Sequence, residues 1–315
     1  MSIILLLLFL LCCNTPVLST KNSDETALLK IKQQLGDPPF LSSWVKGFNF
    51  CDRTSPAPDG YIYVGCTNTS RVDDLVIRHL INFTAPFPEA ICGLTKLRIL
   101  VIYQIPGLYG QIPSCITKLF NLNQVLISET SVSGRVPHFY NNSNLDAIIL
   151  ASNNLSHSIP PSLSTLPILT FLNLSSNHLT GTIPKSLVNV WGFDVGNNQL
   201  HGDASFLFSN QSKAGIIVLA NNSFKFDLSY VEFSDNLYEI DLSHNKIYGK
   251  VPASFATAVG LYHANLSFNR LCGELPQGGI MGRFSAADFA NNRCLCGYPL
   301  PPCSNSSPAP APAPA

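Results

Sequence analysis

Charge is scarce in this sequence. Only 12% of its 315 residues are Asp, Glu, Lys or Arg, and 19 cations balance 19 anions to a net charge of +0. No basic stripe points to nucleic acid and no acidic tract points to a polycation. Metal-ligand spacing of the C-x₂-C…H-x₃-H kind is missing too, so neither a metal nor another cofactor is expected. Long apolar runs are absent after Ile3–Cys13. That run is too short to cross a bilayer as a helix. Small residues follow it, Val17 and Ser19, so residues 1–19 read as a signal peptide cleaved near Ser19–Thr20, although its start has no Lys or Arg. No membrane segment is expected after cleavage.

What the chain has instead is cysteine, sequons and a repeat. Cys12 and Cys13 leave with the signal, and eight of the ten Cys remain, an even number in an oxidising compartment. Asn68, Asn82, Asn141, Asn154, Asn173, Asn210, Asn221, Asn265 and Asn305 each open an N-x-S/T sequon, so N-glycosylation is expected. A secreted surface solvated by neutral polar groups and sugars accounts for the low charge.

The repeat is clearest at Leu169–Pro184, LTFLNLSSNHLTGTIP, and returns as LYEIDLSHNKIYGKVP from Leu237 and LDAIILASNNLSHSIP from Leu145. This is the leucine-rich repeat, L-x-x-L-x-L-x-x-N-x-L, extended by G-x-I-P. Repeats begin near Val72, Leu97, Leu122, Leu145, Leu169, Val190, Ala214, Leu237 and Leu261, nine in all. The expected fold is an α/β leucine-rich-repeat solenoid, a right-handed curved superhelix. Its parallel concave sheet is faced by 3₁₀ pieces on the convex side, with disulfide caps at both ends. The x positions of each strand project onto the concave face. Asn153, Asn177, Asn198, Asn222, Asn245 and Asn269 stack to satisfy backbone groups at the following turn. Pro113, Pro137, Pro160, Pro184, Pro252 and Pro276 fix φ on the convex side and discourage long helices.

The repeat from Leu169 is short, with only 21 residues to Val190. The repeats from Val190 and Ala214 replace G-x-I-P by Gly202–Ser205 and Phe226–Ser229, so local curvature is expected to change around residues 185–235. The expected segments are a signal at 1–19, an N-terminal cap at 20–71, repeats at 72–284, a C-terminal cap at 285–303 and an Ala-Pro tail at 304–315. Asp24–Leu35 carries Ala27, Leu28, Ile31 and Leu35 at helical spacing, which with Trp44 would cover the exposed end of the first repeat. The tail favours an extended polyproline II form.

Several stretches together resemble the plant polygalacturonase-inhibiting proteins. They are ALLKIKQQL at Ala27–Leu35, LSSW at Leu41–Trp44, GDASFLF at Gly202–Phe208 and KFDLS at Lys225–Ser229. The end of the chain adds NLSFNRLCGELPQGG at Asn265–Gly279 and FANNRCLCGYPLPPC at Phe289–Cys303. The resemblance spans about Asp24 to Cys303, nearly the whole mature chain. It implies a secreted, extracellular cell-wall protein that binds and inhibits fungal or insect endopolygalacturonase on its concave face, with pectin a second candidate ligand and a monomer expected. It also implies the pairs Cys51–Cys66, Cys272–Cys294 and Cys296–Cys303. Members of that family usually carry a double Cys where Phe50-Cys51 stands here and a Cys near the position of Thr20, so one whole bridge is missing. They usually have ten repeats and are often basic. Cys92 and Cys115 are extra, and a bridge between them or two buried thiols are both compatible with their places in adjacent repeats.

The candidate partner-binding residues on the concave face are Arg98, Tyr103, Gln104, Gln124, Glu129, Asp146, Phe171, Trp191, Asp194, Tyr238, Asp241, His244, Tyr262 and His263. Aromatic and Arg side chains on a rigid scaffold are frequent interface anchors. Gly215, Ile216 and Val218 also face outward, where that family usually offers polar groups, and a glycan on Asn173 would cover the middle of the face. Asp241 and His244 have no nucleophile or pocket to converge on, so no enzyme activity is expected. A non-inhibitory interaction module, receptor-like or structural, is the alternative. Ice binding would need a flat Asn/Thr ladder, and the outward positions are too mixed for one.

Overall fold

A computed structural model describes residues 22–140, 142–209 and 212–303. The expected signal peptide and Ala-Pro tail, with sequons Asn141, Asn210 and Asn305, lie outside the described residues. Helix α1 (Asn22–Gln34) starts with Asp24 and Glu25 in its first turn and buries Ala27, Leu28 and Ile31 on one face. Asp24 does more than start the helix. It is fully buried and its carboxylate accepts from Arg71 Nε at 2.8 Å, Arg71 Nη2 at 2.9 Å and the Val72 backbone N–H at 2.8 Å. The cap is thereby clamped to the first repeat by a charge-assisted network. Trp44 packs edge-on against Phe50, and its indole N–H donates to Ser55 Oγ at 2.8 Å.

Strand β1 (Arg53–Ala57) pairs antiparallel with β2 (Gly60–Cys66), and β2 antiparallel with β3 (Val72–Arg78). From β3 onward every neighbour is parallel: β4 (Ile99–Gln111), β5 (Gln124–Arg135), β6 (Ala147–Ile149), β7 (Phe171–Asn173), β8 (Gly192–Asp194), β9 (Ile216–Val218), β10 (Glu239–Asp241) and β11 (His263–Asn265). One register line runs Leu75, Leu100, Val125, Ile148, Leu172, Phe193, Ile217, Ile240, Ala264, all buried. The leucine-rich-repeat solenoid is therefore the architecture, and each repeat's apolar face is covered by its neighbours.

The Asn ladder forms. Asn177 Nδ2 donates to the carbonyls of Leu150 (2.9 Å), Leu174 (3.1 Å) and Ser175 (3.1 Å), while its Oδ1 accepts the Leu155 N–H at 3.0 Å. The pattern recurs down to Asn292 in the C-terminal cap, which donates to Leu266 and Phe289 carbonyls and accepts from Leu271 N–H. One short side chain thus ties two repeats where the backbone turns inside the core.

The convex side carries 3₁₀ turns such as Ser114–Lys118, Pro161–Thr165 and Lys185–Asn189, each entered through an extended proline. A five-residue helix, α2 (Ala253–Thr257), replaces one of them. Beside the concave sheet, short lateral strands at Asn154–His157, His178–Gly181, Gln199–Gly202 and Ser223–Phe224 pair in parallel. That lateral sheet breaks at the irregular Lys225–Ser229, where only an isolated bridge joins Asp227 to Tyr248. A separate sheet of Tyr248–Gly249, Arg270–Glu274 and Cys294–Cys296 then begins. Phe208, Phe233, Phe255 and Phe284 fill the interior across the break with ring centroids 5.2–5.5 Å apart. Disulfides join Cys51–Cys66, Cys272–Cys294 and Cys296–Cys303, and Cys92 is bridged to Cys115, which settles the alternative left open by spacing.

Candidate functional site

Five outward positions per repeat furnish the concave face. The second position holds Arg98, Asp146, Trp191, Tyr238 and Tyr262; the third holds Gln124, Phe171, Glu239 and His263; the fifth holds Asp194 and Asp241. The seventh holds Tyr103. The eighth holds Gln104, Glu129 and His244, and there the backbone always turns left-handed: His79, Gln104, Glu129, Ser152, Ser176, Asn197, Asn221, His244 and Phe268 take φ of 53–60°. Bulky Phe268 is costly in that conformation. Its ring stacks on His244 with centroids 4.0 Å apart and planes 12° apart, which makes a flat shelf at the rim.

Two glycines create the central aromatic platform. A Cβ on Gly192 would collide with the Phe171 ring, and one on Gly215 with the Trp191 indole. Both aromatic rings therefore lie over the backbone of the next strand. Trp191, Tyr238 and Tyr262 are each about half exposed. Tyr238 and Tyr262 lie 5.5 Å apart, His263 stands edge-on to Tyr238, and Arg283 covers Tyr262 at 4.7 Å. Arg283 is held there by donating to the Val259 and Leu261 carbonyls, both at 2.8 Å.

Among these aromatics stand the carboxylates Asp194, Glu239 and Asp241, with outward-facing Ile216 and Val218 on the strand between β8 and β10. Asp194 Oδ1 accepts the Gly196 N–H at 2.9 Å, and Asp241 Oδ1 the Ser243 N–H at 2.9 Å. Burial pushes the Asp194 carboxyl above its ordinary value against the opposing hydrogen bonds from Gly196, Ser175 and Asn173, and the Glu239 charge adds to the rise. Near the N-terminal end, the Tyr103 hydroxyl is raised chiefly by its hydrogen bond to Glu129. Arg78 sits 5.5 Å from the Tyr61 ring and 5.9 Å from the Tyr103 ring. Arg98 is already paired, with Asp73 Oδ2 at 3.0 Å, and Asp146 accepts from the Thr170 hydroxyl.

Reading by motif missed the aliphatic half of this face. Val76, Ile99, Val101, Leu126 and Ile149 all point outward and are half-buried. The continuous run ILVI at Ile99–Ile102 hides the alternation that separates inward from outward positions. Arg283 and Phe268 were missed as well, because they belong to turns, the 3₁₀ turn Gly279–Arg283 and the left-handed bend after β11, rather than to a strand.

The sequon asparagines Asn68, Asn82, Asn154 and Asn221 are exposed. Asn173 and Asn265 are half-buried on the concave face. Each accepts, through Oδ1, the backbone N–H and hydroxyl of its own sequon serine, Ser175 or Ser267. Among the described residues no group of His, Cys, Asp and Glu could hold a metal ion, and no helix is long and apolar enough to cross a membrane.

Residues 21–55 match the model of the leucine rich repeat N-terminal domain, and residues 169–190 and 236–258 that of the Leucine Rich Repeat. Polygalacturonase inhibitor 1 of Phaseolus vulgaris is 37% identical over 313 residues, covering 89% of this chain and 90% of that relative. Leucine-rich repeat protein FLOR 1 of Arabidopsis thaliana is 35% identical over 90% of this chain and 93% of its own length. Polygalacturonase inhibitor 2 of Arabidopsis thaliana is 43% identical over 110 residues, 35% of this chain and 33% of that relative. Among solved structures, a plant ice-binding protein is 33% identical with a TM-score of 0.72, covering 91% of this chain and 99% of its own.

Proposed function

The chain belongs to the polygalacturonase-inhibitor family of leucine-rich-repeat proteins, and on that premise we propose that it is a secreted cell-wall protein that binds and inhibits a fungal or insect endopolygalacturonase through its concave face. It is a binding protein and not an enzyme, as its relatives' names are those of inhibitors and repeat proteins. The observation that carries the reading is the set of carboxylates Asp194, Glu239 and Asp241, the two aspartates on either side of Val218, framed by Trp191, Tyr238 and Tyr262. An enzyme that cleaves a polymer of galacturonate must line its cleft with cationic groups, and an acidic, aromatic surface is complementary to such a cleft. The aromatics supply pre-organised anchors, since Gly192 and Gly215 fix where Phe171 and Trp191 lie.

The direct test is inhibition of a panel of fungal and insect endopolygalacturonases by the secreted, glycosylated protein. Inhibition of at least one enzyme is expected, weakened roughly tenfold or more by Trp191→Ala or Tyr238→Ala. No effect on any member of the panel sinks the proposal. A second reading, a non-inhibitory interaction module, is favoured by the aliphatic half of the face, since exposed apolar strips mark protein contacts. It predicts a partner whose capture is lost on Val101→Lys and kept on Trp191→Ala. Ice binding draws less support: in the L-x-G frame only Ser133, Ser156 and Thr180 form a run of small hydroxyls before His201 interrupts it.

A further inference from the structure

A second aromatic surface opens where the lateral sheet breaks. The repeat from Ala214 has no G-x-I-P, and Phe226 stands where Gly202 and Gly249 stand in the repeats on either side. Its lateral strand ends at Phe224, and a groove of about 630 Å³ runs along the break. Buried Phe208, Phe226 and Val231 form the floor, and Phe206, Tyr230 and Tyr248 form the rim. Tyr230 is 87% exposed, more than any other large apolar or aromatic side chain among the described residues, and Tyr248 is 42% exposed. Aromatic side chains left open around a groove mark a place where something packs.

The charge of the groove disfavours an anionic occupant. Asp203, Asp227 and Glu232 line it against one cation, Lys225. Asp203 and Asp227 each accept one local backbone N–H, from Ser205 at 2.8 Å and Ser229 at 2.9 Å. A carboxylate has lone pairs for several donors, so both keep capacity to accept from a neutral chain laid across them.

We infer that this groove is a polyproline-binding surface and that Pro308–Pro314 of the same chain is its occupant, packed on Tyr230 and Tyr248. Residues 304–315 carry no charged side chain, and from Pro308 to Pro314 every second residue is proline. Alternating Ala-Pro favours polyproline II, a form with no internal hydrogen bonds, and aromatic-lined grooves are what receive it. Its free carbonyls accept from the tyrosine hydroxyls. Ala309, Ala311 and Ala313 keep the N–H that proline lacks, and these suit Asp203 and Asp227.

The reach fits as well. The register of the separate lateral sheet sets Tyr248 opposite Arg270 and Cys296 opposite Glu274. At about 4.8 Å between strands and about 3.3 Å per residue, Tyr248 stands about 16 Å from Cys296. The disulfide holds Cys303 4.9 Å from Cys296, Cα to Cα, so Tyr248 is at most about 21 Å from the start of the tail. At about 3.1 Å per residue Pro308 is about 16 Å beyond Cys303 and Pro314 about 34 Å, which brackets the groove. A short tether gives an effective concentration in the millimolar range, so a weak contact suffices to seat the tail. The inference does not rest on the polygalacturonase reading.

The experiment is a fluorescence-polarisation titration of a labelled PAPAPAPA octapeptide. It uses the unaltered secreted protein and a variant with Pro308, Pro310, Pro312 and Pro314 all replaced by serine. The serine variant should bind the peptide saturably and independently of added salt. The unaltered protein should bind it at least tenfold more weakly, because its own tail competes. Adding Tyr230→Ala and Tyr248→Ala to the serine variant should weaken binding tenfold or more. Tyr230→Ala alone should weaken it several-fold with an unchanged melting temperature, since that side chain is almost wholly exposed. The unaltered protein should sediment as a monomer at every concentration tested. No peptide binding by the serine variant, equal binding by both forms, or an unaffected tyrosine variant overturns the proposal. So does dimerisation that depends on the four prolines, which would put the tail on a second copy.

Discussion

Asp194 shows how a single residue can serve the face at a cost to the fold. Its carboxyl is held above the ordinary value of 3.8 by burial, with the neighbouring Glu239 charge adding to it. Such a group binds more protons folded than unfolded, so stability falls as pH rises from about 3.8 through the raised folded value, and the penalty is complete above it. Asp194→Asn keeps an acceptor for the Gly196 N–H and removes the buried charge. Its melting temperature should exceed the parent's at pH 7, and the difference should vanish on acidification below the ordinary carboxylate range; an equal or lower value at pH 7 counts against the assignment. Gly215 acts by having no side chain, since a methyl there meets the Trp191 indole. Gly215→Ala should cost about 1–3 kcal/mol in urea unfolding. It should also red-shift the emission of Trp191, with Trp44, 2% exposed, as an unchanged internal reference.

At the scale of elements, the convex turns differ in what anchors them. Most follow a proline and pack an apolar side chain inward, as Ile116 and Leu163 do. The turns Glu89–Gly93 and Ser114–Lys118 are in addition joined by Cys92–Cys115, a separation of 23 residues. Closing a loop of that length removes unfolded-state entropy worth about 3 kcal/mol in the chain-entropy description. The Cys92→Ser/Cys115→Ser variant should lower the urea midpoint accordingly, with the concave face and its binding unchanged. A midpoint equal to the parent's contradicts the contribution.

Across the whole molecule, repeats contact only their neighbours, so an end without its lid frays first. Asp24 is the residue that holds the N-terminal lid, through Arg71 and the Val72 N–H. Asp24→Ala leaves the Arg71 guanidinium unpaired in a largely buried place and should cost about 3–5 kcal/mol. Hydrogen exchange should show protection lost first in β1, β2 and β3 while β9–β11 stay protected; uniform loss contradicts a cap-limited solenoid. The spacing of Leu, Asn and Pro sufficed to determine the solenoid, its parallel sheet and its Asn ladder. Those features are periodic, and each repeat states the same local rule. The sequence also placed Trp191, Tyr238, Tyr262, Asp194 and Asp241 on one face, because alternation along a strand is a local property. It did not show that Ile99, Val101, Leu126 and Ile149 share that face, since an unbroken apolar run carries no alternation. Only the tertiary structure decided that Arg283 reaches Tyr262 from the turn Gly279–Arg283, that Trp191 lies over Gly215, and that Lys118, Arg135 and His157 meet in one groove. The reason is that stacking brings residues some twenty positions apart to about 4.8 Å strand spacing, so what a solenoid displays is set across repeats, while what folds it is written along them.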